Sequence, residues 1–381
     1  MSDLDTARTH RLDRAVAEAQ VLVTTGAGGV GKTTTAAALG LAGARAGRRT
    51  LVMTIDPARR LAQAMGLDAL ASEPQQVEVP GADGELWAMM LDMQSTFDSL
   101  IDTHAASPER AAAIKDNRIY RTLSSTLSGT QEYMAMEKLQ ELHASGEWDL
   151  LIVDTPPTRS ALDFLDAPKR MTSFLDGKLL NLLLKPAMAT GKGYLRAVNA
   201  GATAFMRIAG KVTGMELLED LADFFRNFEG MYDGFKERAE QVLALLSDPD
   251  SRFVVVTSPQ PPPLREARFF LDRLAQEGLH AGGVVVNRIH PDLSAAPTAA
   301  DLHHAAEKLA DGDDDDRAAA GALRLLADVE NLGERERADV QAALFGRTPP
   351  ALVEVPLLRS DVHDLDGLST IADALTTGST T

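Results

Sequence analysis

The sequence contains no cysteine among its 381 residues. Without thiolates the chain can form neither a disulfide, nor a cysteine-ligated zinc site, nor an iron–sulfur cluster. Long apolar runs are also missing, because no uninterrupted stretch approaches the roughly 18 residues that a membrane-spanning helix needs. These absences exclude whole classes of redox and metal proteins, and they lead us to expect a chain without a transmembrane segment.

Positive charge is scarce as well, with 38 Lys and Arg against 55 Asp and Glu and a formal net charge of −17. An acidic surface repels nucleic acid and anionic lipid, so we expect no nucleic-acid partner. The first twenty residues are polar and mixed in charge, without the apolar core of a secretion signal, and this favours a cytoplasmic protein. The hydrophobic content of 45% is typical of a globular protein with a substantial core.

The most informative stretch is a glycine-rich turn between a β-branched run at Val21–Thr25 and an Ala/Leu-rich segment that opens at Lys32. Gly26, Gly31, Lys32 and Thr33 fill the pattern GxxxxGK[ST] in the strand–loop–helix context that the motif requires. Glycines let backbone N–H groups close around phosphate oxygens, and the helix N-terminus adds positive potential. Instead of an ordinary strand–helix turn, we predict a site for ATP and Mg²⁺ formed by Gly26, Gly28, Gly29, Val30, Gly31, Lys32, Thr33 and Thr34. Lys32 is expected to reach the β/γ-phosphates, and the Thr33 hydroxyl is expected to bind Mg²⁺.

Two aspartates follow compact apolar runs of the kind that form buried parallel strands. Asp56 comes after LVMTI at 51–55, and Asp154 ends LLIVD at 150–154. Ligands of open α/β sheets bind at the carboxyl ends of the strands. Asp56 is therefore predicted to orient the attacking water, with a helix N-cap as the alternative. Asp154 is predicted to support Mg²⁺ through water, as in a Walker B strand.

Seven apolar runs alternate with helical segments and predict an α/β fold with a doubly wound, mainly parallel P-loop NTPase sheet. The runs are residues 21–25, 51–55, 86–91, 150–153, 253–257, 283–286 and 351–355. We divide the chain into a nucleotide-binding core at 1–159, an inserted helical subdomain at 160–247 and a second part of the core at 248–381. The acidic run at 311–316 is predicted to be a solvated loop.

The predicted helical subdomain carries apolar side chains at helical 3/4 spacing, in residues 195–212 and again in 217–235. One interpretation is that these faces pack against each other and against the sheet. The other is that part of the surface is a groove for an apolar client helix or a membrane-protein partner. Asn287 ends the run at 283–286, where its amide is predicted to bond the adenine edge unless it only caps a turn.

With these motifs placed, the chain resembles the ArsA/GET family of P-loop ATPases through most of residues 20–362. The resemblance depends on GGVGKTTT (28–35), DPARRL (56–61), DTPPTRSALDFL (154–165), NR (287–288) and VPLL (355–358). It implies an ATPase in which Lys32, Asp56 and Asp154 carry catalysis. It also implies a dimer whose P-loops face each other, closed by ATP and opened by hydrolysis. The adenine-side residues that it implies are Asn287, Pro356 and Leu357.

One residue departs from the family pattern, because Ala27 occupies the place of a signature lysine that reaches the partner's nucleotide. Three interpretations remain open. The chain pairs with a related subunit that keeps the lysine, or another cation such as Arg59, Arg60 or Arg159 replaces it, or ATP acts as a slow structural switch.

These interpretations lead to different functions. The first is a dimeric ATPase that drives a client or partner through a conformational cycle. The second is a non-catalytic regulatory nucleotide-binding subunit of a hetero-oligomer. A partition- or division-type ATPase is disfavoured by the acidic C-terminal segment. The lack of cysteine excludes the family's thiolate arsenite site and its zinc-bridging dimer clasp.

Overall fold

The computed structural model describes residues 11–56, 60–118, 120, 130–155, 227, 231–291, 297–347 and 349–377. Within them the chain divides into two compact units. The first unit comprises Met1–Met90, Leu142–Leu162 and Leu246–Thr381, and the second comprises Leu91–Glu141 and Asp163–Leu245. The division differs from the predicted one, because residues 91–141 belong to the second unit and not to the core.

The first unit is built on one eight-stranded sheet with the order β3-β4-β2-β5-β1-β6-β7-β8. Its strands are β1 Val21–Thr25, β2 Arg49–Thr54, β3 Gln75–Val77, β4 Glu85–Met90, β5 Leu150–Asp154, β6 Ser251–Thr257, β7 Ala281–Ile289 and β8 Leu352–Pro356. All neighbouring strands are parallel except β3 and β4. The predicted doubly wound, mainly parallel α/β fold is therefore confirmed. The sequence analysis missed β3, a three-residue edge strand without an apolar run.

Helices cover the sheet and connect its strands. Those of the first unit are α1 Asp13–Glu18, α2 Lys32–Arg45, α3 Arg60–Ala64, α8 Pro261–Glu277, α9 Ala299–Leu309, α10 Asp314–Ala343 and α11 Leu365–Thr377. The remaining described helices are α4 Met93–His104, α5 Pro108–Asp116, α6 Thr130–Ala144 and α7 Tyr232–Ser247. The core lies where α2 and α11 pack on the buried strands, and β1 and β5 are buried along their whole length. In the described part of the chain, no helix combines the length and the apolarity needed to cross a membrane.

The prediction of an acidic loop at 311–316 is wrong for its second half. Asp314, Asp315 and Asp316 form the first turn of α10, a helix of 30 residues. The Asp313 side chain caps this helix by accepting the backbone N–H of Asp316 at 3.0 Å. Negative side chains near a helix N-terminus are stabilised by the unpaired N–H groups and by the helix dipole. A cluster of aspartates therefore starts a helix here.

Candidate nucleotide-binding site

The P-loop, residues 26–31, lies at the centre of the carboxyl edge of the sheet, between the end of β1 and the start of α2. Strand β1 is flanked by β5 and β6, and β5 is flanked by β1 and β2. This register sets Asp154 opposite Thr24 on one side and Thr54 on the other. Asp56 lies two residues beyond the end of β2, so both predicted carboxylates come to the same edge as the P-loop.

Lys32 closes the P-loop from inside. Its Nζ donates hydrogen bonds to the carbonyl oxygens of Gly26 at 3.0 Å and Ala27 at 2.9 Å. The side chain is 5% exposed, and this burial lowers the pKa of Lys32, whereas the carboxylates of Asp154 and Asp56 oppose the shift. The ammonium therefore holds the loop in shape and lies among the atoms that would surround a bound phosphate.

Asp154 has a buried oxygen that the described part of the chain leaves unsatisfied. Its Oδ2 accepts the Thr54 hydroxyl at 2.9 Å, whereas Oδ1 has no hydrogen-bond partner among the described residues. Burial raises the pKa of Asp154 to about 6, although the nearby hydroxyls of Thr33 and Thr54 and the charge of Lys32 lower it. A buried carboxylate near the Thr33 hydroxyl, with one oxygen left without a partner, fits the outer coordination of a hydrated magnesium ion.

Gly26 and Gly31 of the P-loop are required by close contacts as well as by backbone conformation. A Cβ atom on Gly26 (φ +147°) would lie 1.9 Å from the carbonyl oxygen of Val256. A Cβ atom on Gly31 (φ +98°) would lie 2.2 Å from Asn287 Nδ2. The loop therefore packs directly against the ends of β6 and β7, and these contacts restrict its conformation.

Replacing Gly26 by alanine is expected to destabilise the protein by more than about 3 kcal/mol, because the new methyl group overlaps a backbone carbonyl that cannot move away. Gly29→Ala is the matched control, since φ is +78° there and no atom lies within 4 Å of the added Cβ. That variant should lose only about 1 kcal/mol, the cost of left-handed backbone in a non-glycine residue. Urea unfolding of both variants measures the difference, and equal losses would contradict the contact with Val256.

A cleft of about 510 Å³ opens over the P-loop and the start of α2. Nine of its lining residues are predicted site residues: Gly29, Gly31, Lys32, Thr33, Thr34, Asp56, Asn287, Pro356 and Leu357. The remaining predicted residues, Gly26, Gly28, Val30 and Asp154, stand in or behind the loop and do not line the cleft. The cleft is also lined by Arg60 and Gln63 of α3 and, after β8, by Leu358, Ser360, Asp361, Val362 and His363. The sequence analysis named Arg60 only as a cation that could replace the signature lysine, and it did not predict a role for the residues beyond Leu358.

Asn287 makes a contact that the sequence analysis did not anticipate. Its Nδ2 donates to the Val30 carbonyl oxygen at 2.8 Å, and the neighbouring Arg288 donates from Nη1 to the Gly29 carbonyl oxygen at 3.2 Å. The end of β7 is therefore bonded directly to the P-loop. The role of Asn287 at an adenine edge stays a prediction.

Several predicted features lie outside the described residues. These are residues 57–59 with Arg59, residues 156–165 with Arg159, and the apolar stripes of 195–212 and 217–235 apart from a few C-terminal positions such as the buried Met231. Ala27 is described, and it is only 7% exposed within this chain. Its methyl group belongs to the hydrophobic core, while its carbonyl oxygen accepts Lys32.

Comparison with known proteins agrees with this geometry. Residues 19–309 match the family model described as anion-transporting ATPase. The chain is 32% identical over 277 residues to an uncharacterized protein of Streptomyces coelicolor, an alignment that covers 72% of this chain and 63% of the relative. It is 24% identical over 350 residues to ATPase GET3 of Malassezia globosa, covering 92% and 88%. It is 26% identical over 293 residues to ATPase GET3B of Arabidopsis thaliana, covering 71% and 64%. The chain thus spans less than two thirds of the Streptomyces and Arabidopsis relatives.

Proposed function

The chain belongs to the ArsA family of anion-transporting ATPases, and we propose that it binds ATP with Mg²⁺ and hydrolyses the ATP to ADP and phosphate. The observation that carries this proposal is the pairing of two buried groups at the sheet edge. Lys32 bonds two carbonyl oxygens of the P-loop, and Asp154 holds an unsatisfied oxygen beside it. Two desolvated charged groups at one sheet edge cost free energy, and a bound phosphate with Mg²⁺ would give a partner to both of them.

The side chains around the cleft divide the work of phosphoryl transfer. Lys32 neutralises charge on the phosphates, and the N–H groups of the P-loop and of the first turn of α2 bind their oxygens. The Thr33 hydroxyl and Asp154, through water, would hold Mg²⁺, which neutralises charge on the phosphate oxygens when it is bound. Asp56 lines the cleft close enough for its charge to act on both Lys32 and Asp154. We assign Asp56 the task of orienting the attacking water.

We also propose that the protein works as a dimer that closes with ATP and opens after hydrolysis, coupled to a partner or an apolar client. Each chain has a single P-loop, and the family resemblance implies two P-loops facing each other. Ala27 places no cation at the signature position, so a homodimer would lack that charge at both sites. A heterodimer with a lysine-bearing relative is therefore the arrangement that we favour.

A non-catalytic regulatory subunit is the second candidate function, and Ala27 favours it. An alanine at 27 can neither neutralise charge nor donate a hydrogen bond, and loss of such a finger-type charge costs on the order of 10³-fold in rate. In this case ATP would bind and set the conformation, while turnover would depend on the partner's site.

The two candidates are separated by activity measured alone and in complex. Steady-state phosphate release by the purified chain, with Mg²⁺ and with EDTA, tests hydrolysis. Native mass spectrometry after co-purification, with and without ATP, tests the assembly. A fully active homodimer would overturn the heterodimer and the regulatory role together. Failure of the chain to bind ATP with Mg²⁺ would overturn the proposed function itself.

Ala27→Lys is expected to raise the turnover of the isolated chain by about 10²- to 10³-fold, because it restores a finger-type cation. The alanine methyl group lies in the hydrophobic core. The longer lysine side chain must therefore extend away from the core so that its ammonium group reaches solvent. Ala27→Met is the matched control, since it adds similar length without charge and should leave turnover unchanged. Phosphate release by both variants decides the point, and equal rates for lysine and alanine at 27 would show that this position does not limit hydrolysis.

A further inference from the structure

The end of β7 holds a non-glycine residue in left-handed backbone. Arg288 has φ +62°, and within the described ranges it is alone among non-glycine residues in having a positive φ. It lies where the register between β7 and β8 shifts, between Asn287 and Ile289. A side chain in left-handed backbone persists only where its surroundings hold it, and such strain is concentrated at functional sites.

Arg288 and Asn287 bind two successive carbonyl groups of the P-loop. Arg288 holds the carbonyl oxygen of Gly29, and Asn287 holds that of Val30. No described peptide bond is cis, and in a planar trans peptide the N–H points opposite to the C=O of the preceding residue. Fixing these two carbonyls on the β7 side therefore turns the N–H groups of Val30 and Gly31 away from β7. Lys32 fixes the carbonyls of Gly26 and Ala27 in the same way.

The two residues after Arg288, Ile289 and His290, are hydrogen-bonded to α10 and to the chain after β8. Glu336 accepts the backbone N–H of His290 at 2.8 Å and contacts His290 Nδ1 at 3.0 Å. Arg337 donates from Nη2 to the carbonyl oxygen of His290 at 2.9 Å, and Leu357 donates its N–H to Ile289 at 2.8 Å. These contacts fix the residues that follow Arg288, so the position of its guanidinium does not depend on the P-loop alone.

We propose that Asn287 and Arg288 are positioning residues that preorganise the P-loop for the phosphates, by holding its outer carbonyls so that its N–H groups face the anion. The proposal deepens the proposed function, on which it rests. It differs from the predicted contact of Asn287 with the adenine edge, because it assigns this pair to the phosphate end of the nucleotide. A ligand that has phosphates but no base should therefore depend on them.

The test uses two probes with Mg²⁺, ATP and inorganic tripolyphosphate, whose affinities are measured by calorimetry for the full chain. Asn287→Ala and Arg288→Gln should each weaken both probes by about 2- to 10-fold, the range expected for one lost hydrogen bond. A contact with adenine would instead weaken ATP and leave tripolyphosphate unchanged, and that outcome overturns the proposal. Binding of neither probe to the parent protein would overturn the proposed function as well, so the two failures are distinguishable.

A charge control separates positioning from simple attraction. Arg60 also lines the cleft, and within the described residues it makes no hydrogen bond to the P-loop. The effect of Arg60→Gln should therefore fade at about 0.5 M salt, where exposed charges are screened. Arg288 is exposed as well, but it also donates a hydrogen bond to the Gly29 carbonyl oxygen, so the larger part of the effect of Arg288→Gln should persist there. If the two variants showed equal salt dependence, Arg288 would act only through its charge, and the proposed positioning role would be overturned.

Arg288→Gly gives a readout that a purely structural role would not produce. Glycine accepts positive φ without steric strain, and this gain exceeds its larger loss of backbone entropy on folding, so this variant should unfold at a temperature about 1–3 °C higher than the parent in the absence of ligand. The same variant should bind tripolyphosphate about 2- to 10-fold more weakly, because the Gly29 carbonyl loses its donor. A lower unfolding temperature, or an unchanged affinity, would contradict the inference that strain at Arg288 is kept for binding.

Discussion

Replacing Lys32 by methionine is expected to abolish measurable ATP hydrolysis, a loss on the order of 10³-fold or more. The variant should also bind ATP at least about 100-fold more weakly. The reason lies in the two tasks of the ammonium, which bonds the carbonyls of Gly26 and Ala27 and lies among the groups around the phosphate position. Methionine keeps most of the length and the apolar stem but cannot donate a hydrogen bond, so both tasks are lost together.

Calorimetric titration with MgATP and a phosphate-release assay measure the two losses of the Lys32→Met variant. Lys308→Met is the matched control, since Lys308 is an exposed residue in the last turn of α9 and should give parental values. Thermal unfolding completes the comparison. Removing a buried charge need not destabilise the ligand-free protein, because burial already lowers the pKa of Lys32. Parental ATP affinity in this variant would contradict the site itself.

Asp154→Asn is expected to make the ligand-free protein more stable at neutral pH and nearly inactive. Burial raises the pKa of Asp154 to about 6, compared with 3.8 for an exposed aspartate. At about 1.4 kcal/mol per pH unit, keeping this carboxylate charged at pH 7.5 costs roughly 3 kcal/mol as an order of magnitude. Asparagine has nearly the same shape and no charge. It removes that cost, and it also removes the anionic oxygen offered to hydrated Mg²⁺.

The pH dependence of stability follows from the direction of the shift. The folded protein binds the proton on Asp154 more tightly than the unfolded chain does, so the contribution of this residue is largest below about pH 4. That contribution is lost as the pH rises through about 6. The unfolding temperatures of Asp154→Asn and the parent should therefore coincide near pH 4 and separate by several degrees at pH 7.5, with the variant higher. Hydrolysis should fall by on the order of 10²-fold.

Asp272→Asn provides the matched control of opposite sign. The Arg347 guanidinium donates hydrogen bonds to both oxygens of Asp272, at 2.7 and 2.6 Å, and lowers the pKa of this carboxyl. Neutralising Asp272 should thus cost a small amount of stability above pH 4 and leave hydrolysis unchanged. An Asp154→Asn variant that is less stable than the parent at pH 7.5 would show that this carboxylate is well solvated or already paired.

The predicted helical subdomain shows what sequence reasoning leaves open. The subdomain was predicted to begin at residue 160, close to the DTPPTR motif, because a sequence shows motifs directly but does not show tertiary contacts. Residues 91–141 nevertheless belong to the second unit, although they precede β5 in the chain. Helical periodicity reports which face of a helix is buried but not against which unit it is buried. The prediction of a loop at 311–316 was wrong in its second half for a similar reason. The Asp313 side chain caps a helix there, and the aspartates that follow it form the first helical turn.

The sequence by itself determined the alternation of strands and helices, the family and the composition of the P-loop. The physical reason is that these features are local, since a strand, a glycine turn and a helix N-terminus each lie within about fifteen consecutive residues. Only the tertiary structure decided what holds that loop in place. Asn287 bonds Val30 across 257 residues of chain, and Asp154 bonds Thr54 across 100. Such partners are chosen by the order of strands in the sheet, and the burial that shifts the pKa values of Lys32 and Asp154 exists only after that order is formed.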